Sequence, residues 1–161
     1  RAKFFLRGLS DKVSSKLHGK EFEYYHDKYW NDISGIQNYI NKSATGNPKT
    51  TWFEDILDRF EQHVPFEKVL VVGCGNGWVE RLLDDLKIAK HYDCFDISEE
   101  YINEAKSLAE SRPFEYFIDD INTMKKIKEN YYDAVFNYAV LHHVRDVDFA
   151  VEKLSKSLKK R

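Results

Sequence analysis

The sequence is poor in the residues that mark specialised scaffolds. Of 161 residues only two are cysteine, Cys74 and Cys94, too few for a disulfide framework, and no Cys–His cluster has zinc-ligand spacing, so no metal site is expected. Both cysteines lie in strongly apolar stretches and read as reduced core thiols, which fits a reducing, cytoplasmic compartment. No uninterrupted apolar run approaches the roughly 18 residues that suggest a membrane-spanning helix, and no signal-peptide pattern is present. An excess of charge is also missing. Lys and Arg number 25 against 27 Asp and Glu, a formal net charge of −2, which removes any global case for a protein held to nucleic acid by phosphate attraction. What remains is material for a core. Hydrophobic residues make up 42% and aromatics 15% of the chain, which excludes a disordered tail, and the length is that of one domain. The first residue is Arg1 rather than Met, so the chain reads as a processed or trimmed product.

Charge is unevenly placed. Residues 1–20 hold six basic residues against Asp11 alone, while Phe4, Phe5, Leu6, Leu9, Val13 and Leu17 thread between them at loosely helical spacing. Two readings stand for this segment: weak docking to an anionic membrane or polyanionic partner, and an ordinary helix covering the domain or linking it to a neighbour. No tight membrane binding is expected. Residues 21–51 are polar but rich in aromatics, from Phe22 to Tyr39, and end in the turn-forming run Asn41–Thr51, which reads as an exposed loop. Asn41-Lys42-Ser43 has the form of a glycosylation sequon, meaningful only in a secreted protein.

From Trp52 the pattern is regular. Trp52, Phe53, Ile56, Leu57 and Phe60 form a helical stripe. Lys68–Gly73 is a continuous apolar run, as for a strand buried on both faces. Val79, Leu82, Leu83 and Leu86 give a second helix, and His91–Asp96 a second strand. Ser98 caps a third helix with Glu99 and Glu100 in its first turn, where negative charge suits the helix dipole. Phe114–Ile118 and Tyr132–Tyr138 read as further strands, and Asp146 caps a last helix. This alternation predicts an α/β fold: a doubly wound parallel sheet with helices on both faces. Residues 1–51 are expected to form an N-terminal helical or lid extension, and residues 52–161 the ligand-binding core.

Three of only seven glycines, Gly73, Gly75 and Gly77, fall where the first strand turns into a helix. Lacking Cβ atoms, they let the loop bend sharply, adopt positive φ and hold a ligand against the backbone. Ligands of open α/β sheets bind at the carboxyl ends of the strands. The dinucleotide fingerprint G-x-G-x-x-G would need glycine at position 78, which is Trp78. The spacing found, G-x-G-x-G, resembles the first motif of the class I S-adenosylmethionine-dependent methyltransferases. The second strand ends in Asp96, 19 residues after Gly77, and the third leads into Asp119-Asp120-Ile121-Asn122. The fourth strand and its loop, with Asp133, Asn137 and Leu141-His142-His143-Val144, are similar to the "y-D-x-V … L-H-H-V" segment of the small-molecule methyltransferases in that class. The resemblance covers about residues 66–158.

The resemblance implies a Rossmann-like sheet of strand order 3-2-1-4, with S-adenosyl-L-methionine as cofactor and S-adenosyl-L-homocysteine as product. By matching positions, Gly73, Cys74, Gly75 and Gly77 would pack on the cofactor's amino-acid end. Asp96 would accept both ribose hydroxyls, and Ile97 would line the adenine. Asp120, preferred to Asp119, would receive the adenine amino group, with Ile121 placing a backbone N–H at the ring, and Asn137 would border the cofactor. His143 is the candidate general base, with His142 in reserve, needed only for an acceptor that keeps its proton. Asn137-Tyr138-Ala139-Val140 lacks the two prolines of the amino-directed nucleic-acid enzymes, so the acceptor is expected to be a small molecule: a sugar, lipid or metabolite with a hydroxyl or amine. A complete class I domain continues beyond the fourth strand's helix with a fifth strand and an antiparallel pair. The resemblance therefore implies either a fragment, with an open edge on strand four, or a sheet completed by a partner or dimer mate. A non-catalytic cofactor-binding module serving assembly or regulation is the alternative, and a nicotinamide dehydrogenase a weaker one against which Trp78 argues.

Overall fold

Four consecutive apolar residues, Val69–Val72, form β1 at the centre of a sheet and are at most 2% exposed. A strand of this kind carries no polar face, so it is stable only between two others with helices above and below. In the computed structural model, which describes residues 35–160, β1 pairs in parallel with β2 (Tyr92–Asp96) on one side and β4 (Ala134–Asn137) on the other. The strand β3 (Phe114–Ile118) adds to β2, giving four parallel strands in the order β3-β2-β1-β4. Val69 stands opposite Tyr92 and Ala134, and Val72 opposite Phe95 and Asn137. That register brings Gly73, Asp96 and Asn137 to one end of the sheet.

The chain divides into two compact units, residues 1–56 and 57–161. In the first, described from residue 35, α1 spans Ile36–Thr45. The run Asn41–Thr51, expected to be a loop, is therefore helical over its first five residues. Turn formers are accommodated because the helix ends on Gly46 in the left-handed conformation (φ 82°), with its N–H donating to the Lys42 carbonyl. The Thr45 hydroxyl donates back to the Asn41 carbonyl at 2.8 Å. The sequon asparagine is buried, and its amide donates to the Pro48 carbonyl at 3.2 Å, so it offers no free amide for attachment. The helix α2 spans Trp52–Arg59 and starts on a capping box: Thr51 N–H donates to Glu54 Oε2 at 2.7 Å, and Glu54 N–H to Thr51 Oγ1 at 3.3 Å. The basic segment 1–20 and the aromatics from Phe22 to Trp30 lie outside the described residues.

In the second unit, α3 (Trp78–Asp85) follows β1, α4 (Glu99–Leu108) follows β2, and α5 (Val147–Ser157) follows β4. Both expected caps are in place. Ser98 Oγ accepts from Tyr101 N–H, and Asp146 Oδ1 from Phe149 N–H. One core face joins Leu70, Val72 and Phe95 to Met124, Tyr132, Ala150 and Leu154. Below the sheet, at the starts of the strands, the buried Asp93 carboxylate pairs with Lys68 at 2.7 Å and accepts the Tyr132 hydroxyl at 2.9 Å. The strand β4 is an edge strand, as expected, and one isolated bridge lies just before it begins. After α5 the chain returns to bridge Leu158 with Tyr132, and Tyr131 N–H donates to the Ser157 carbonyl at 2.8 Å. Among the described residues no helix is long and apolar enough to cross a membrane.

Candidate functional site

At the carboxyl ends of the strands a cavity of about 480 Å³ is lined by the loops after all four. The first loop owes its shape to glycine. Gly73, Gly75 and Gly77 all have positive φ, at 61°, 54° and 81°. At Gly73 a Cβ would lie 2.4 Å from Val140 Cγ2, so its absence lets the loop after β4 pack onto it; at Gly75 a Cβ would meet nothing within 4 Å.

Asp96 ties the first two loops together. Its Oδ2 accepts the Gly75 N–H at 2.9 Å and its Oδ1 the Ser98 N–H at 2.9 Å. The Cys74 N–H donates to the Phe95 carbonyl at 3.0 Å, so Cys74 is drawn into the core. Burial pushes its thiol well up, the charges of Glu80 and Asp96 adding to that, which makes it an inert neutral group rather than a nucleophile.

The two neighbouring aspartates after β3 have separate surroundings. Asp119 is buried, and its carboxylate accepts three backbone N–H groups, from Asp120, Lys125 and Lys126. In Asp120 one oxygen, Oδ1, accepts the Asn122 N–H at 2.8 Å and the Asn122 side-chain amide at 3.0 Å. These two bonds, backbone first, together with the Arg145 charge, hold the Asp120 carboxyl below the usual carboxylate range, against a small opposing effect of burial.

The last wall is the loop after β4. Ala139 takes the left-handed conformation (φ 55°), a strained choice for a residue with a Cβ. It turns Tyr138 edge-on to Trp78, with ring centroids 5.1 Å apart. His143 reaches the cavity from the short 3₁₀ turn Leu141–His143, while His142, its ring tilted against that of His143 with centroids 3.8 Å apart, does not line the space.

Of the residues singled out from sequence, Gly73, Asp96, Ile97, Asp120, Ile121 and His143 line one cavity; Cys74, Gly75, Gly77 and Asn137 flank it without lining it. Asn137 Oδ1 is buried with no hydrogen-bond partner among the described residues. Tyr101, Ser98, Tyr138 and Ala139 also line the cavity. Tyr101 and Ser98 were legible only as helix positions, and nothing in the identity of Ala139 signals a positive φ. The donor set tests the ligand. Three carboxylates line the space and, among the described residues, no Lys or Arg. Such a lining receives hydroxyl and amino groups and repels phosphates, which fits a nucleoside without phosphates better than a dinucleotide.

A profile of the methyltransferase domain family matches residues 70–161, more than half of the chain, and the chain belongs to that family. Comparison with curated proteins gives no match. Among solved structures, the chain is similar to an S-adenosylmethionine-dependent methyltransferase from Mesorhizobium loti, at 19% identity over 65% of this chain and 49% of that one, with a TM-score of 0.54. It is also similar to a candidate S-adenosylmethionine-dependent methyltransferase from Listeria monocytogenes, at 26% identity, 65% and 49% coverage and a TM-score of 0.53. A third similarity is to the complex between the Trm112 methyltransferase activator of Haloferax volcanii and a candidate methyltransferase, at 18% identity, 78% and 53% coverage and a TM-score of 0.55. The chain spans about half the length of these relatives.

Proposed function

We propose that this chain binds S-adenosylmethionine and carries the cofactor side of a methyltransferase acting on a small-molecule acceptor. The observation that carries the reading is Asp96, a strand-end carboxylate beside the cavity, held in place by the Gly75 and Ser98 amides. A carboxylate so anchored keeps lone pairs for the hydroxyls of a ribose, each such bond contributing roughly 1.5–3 kcal/mol. Ile97, two-thirds exposed, offers an apolar face to a base, and Asp120 an acceptor for its amino group. The unpartnered Asn137 oxygen is an acceptor for a cationic amine at the glycine-loop end.

When bound, the sulfonium supplies an already activated methyl group. The protein's part is then to hold an acceptor atom in line with it, a service that can contribute roughly 7–11 kcal/mol. For a hydroxyl acceptor, His143 takes the proton. Acceptors with phosphate groups are disfavoured by the acidic lining. The chain works in the cytoplasm.

Calorimetric titration of S-adenosylmethionine into wild type and Asp96→Ala tests the reading. The variant is expected to lose about 1.5–3 kcal/mol of binding free energy while still melting cooperatively. Unchanged affinity would remove Asp96 from the site and the cofactor assignment with it. Binding by the 161-residue chain without turnover of sugar, lipid or amine acceptors would assign it to assembly or regulation instead.

A further inference from the structure

Glu80 is wholly buried in the first turn of α3, and neither carboxyl oxygen makes a hydrogen bond. The Tyr116 hydroxyl on β3 is likewise buried and unpartnered. Both meet at one point. A Cβ built on Gly77 would lie 2.8 Å from Tyr116 Oη, 2.9 Å from Glu80 Oε1 and 2.9 Å from Arg81 Nη1. Arg81 Nη1 in turn donates to the Asn76 carbonyl at 2.7 Å. Three polar tips therefore converge in the space that only glycine leaves, directly beneath the turn carrying Gly75. A buried carboxyl without a hydrogen bond is destabilising, so packing alone gives no reason for Glu at this position.

We propose that Glu80 is a positioning residue of the glycine loop: with Tyr116 and Arg81 it seats Gly77 from below, and so sets where the Gly75 amide meets the Asp96 carboxylate. The effect on ligand binding rests on the cofactor reading above; the effect on the loop does not. The groups facing Glu80 are Tyr116 from β3, Cys94 and Asp96 from β2, Cys74 from the loop and Arg81 from its own helix. Burial first, then the Asp96 charge, raises the Glu80 carboxyl above the usual range, opposed by its own backbone amide, Tyr116 and Arg81. The phenol favours the charged form, yet neither group makes a hydrogen bond. A neutral acid is compatible with the adjacent Asp96 carboxylate, whereas an ionised one sets two negative charges under one loop. Loop order and affinity both fall as pH rises through the Glu80 titration.

The test compares wild type, Glu80→Gln, Glu80→Ala and Tyr116→Phe between about pH 6 and 9, the range reached by buried glutamates. Calorimetry with S-adenosylhomocysteine reads binding, and hydrogen exchange of the Gly75 amide in ligand-free protein reads the loop. Glu80→Gln is expected to match wild type at the acid end and to keep its affinity and Gly75 protection where wild type loses them. Glu80→Ala, folded by thermal melting, is expected to bind about tenfold more weakly or worse with Gly75 exchanging faster throughout. Should Glu80→Ala fail to fold, the Gln and Phe variants carry the comparison. Glu80→Gln with the wild-type pH slope, or Gly75 exchange unaltered in every variant, overturns the proposal. Absence of binding by wild type at every pH overturns the cofactor reading, and Gly75 exchange then decides the proposal by itself.

Discussion

The three glycines of the loop separate what folding requires from what a ligand requires. Alanine at Gly73 and at Gly75 meets a similar left-handed backbone, with φ of 61° and 54°, which costs a residue with a Cβ about 1–2 kcal/mol. Only at Gly73 does the new methyl collide, at 2.4 and 2.8 Å from the two Val140 methyls, and overpacking of that kind adds typically about 1–3 kcal/mol. Gly73→Ala is therefore expected to lose about 2–5 kcal/mol of stability and Gly75→Ala only about 1–2 kcal/mol. For a chain of this size each 1 kcal/mol moves the melting temperature by about 2–4 °C, so calorimetric scanning resolves the two. Binding should reverse the ranking in relative terms. The Gly75 methyl enters open space beside Asp96, so its loss of S-adenosylmethionine affinity should exceed its loss of stability. Equal destabilisation by the two substitutions would refute the packing argument. Full affinity in Gly75→Ala would show that no ligand approaches that backbone.

Three further outcomes follow from particular contacts. Tyr132→Phe leaves Asp93 Oδ2 without its buried donor and should cost about 1–3 kcal/mol in urea unfolding, with a change under 0.5 kcal/mol contradicting the network; the threshold is about the scatter of surface substitutions. The Asp120 carboxyl is held low in the folded state by Asn122 and Arg145, so its contribution to stability is complete above the unfolded value near pH 4 and disappears as pH falls through the lower folded value. Asp120→Asn should flatten that part of the acid limb measured from about pH 5 to pH 2, and an identical limb in both proteins would dismiss the linkage. His143→Ala should slow methyl transfer to a hydroxyl acceptor by about 10²–10⁴-fold with a far smaller change in cofactor affinity; an unchanged rate removes His143 as base.

The sheet was legible because its strands announce themselves locally. Val69–Val72 has no polar face, Phe114–Ile118 is bounded by Pro113 and Asp119, and Ser98 and Asp146 cap the helices that follow β2 and β4. Asp96, Asp120 and His143 could be placed because strand ends converge in any parallel sheet of this winding. The helix at Ile36–Thr45 was obscured by its Asn, Ser and Thr and the Gly that follows; the Asn41 amide donates to the Pro48 carbonyl and the Thr45 hydroxyl to the Asn41 carbonyl, contacts that a residue pattern does not encode. Glu80 escaped notice for a related reason. Between the buried Val79 and the exposed-looking Arg81 it reads as a solvated charge, and only the fold turns it inward. Ala139 carries no mark of its left-handed backbone.

The close approach of Val140 to Gly73 bears on how such a domain can diversify. The two positions belong to different loops, one after β1 and one after β4, and both line one cavity. A bulkier side chain at 140 would displace the glycine turn and reshape the cavity that both residues line. Neither residue of this pair can gain bulk alone, so the two change only in step.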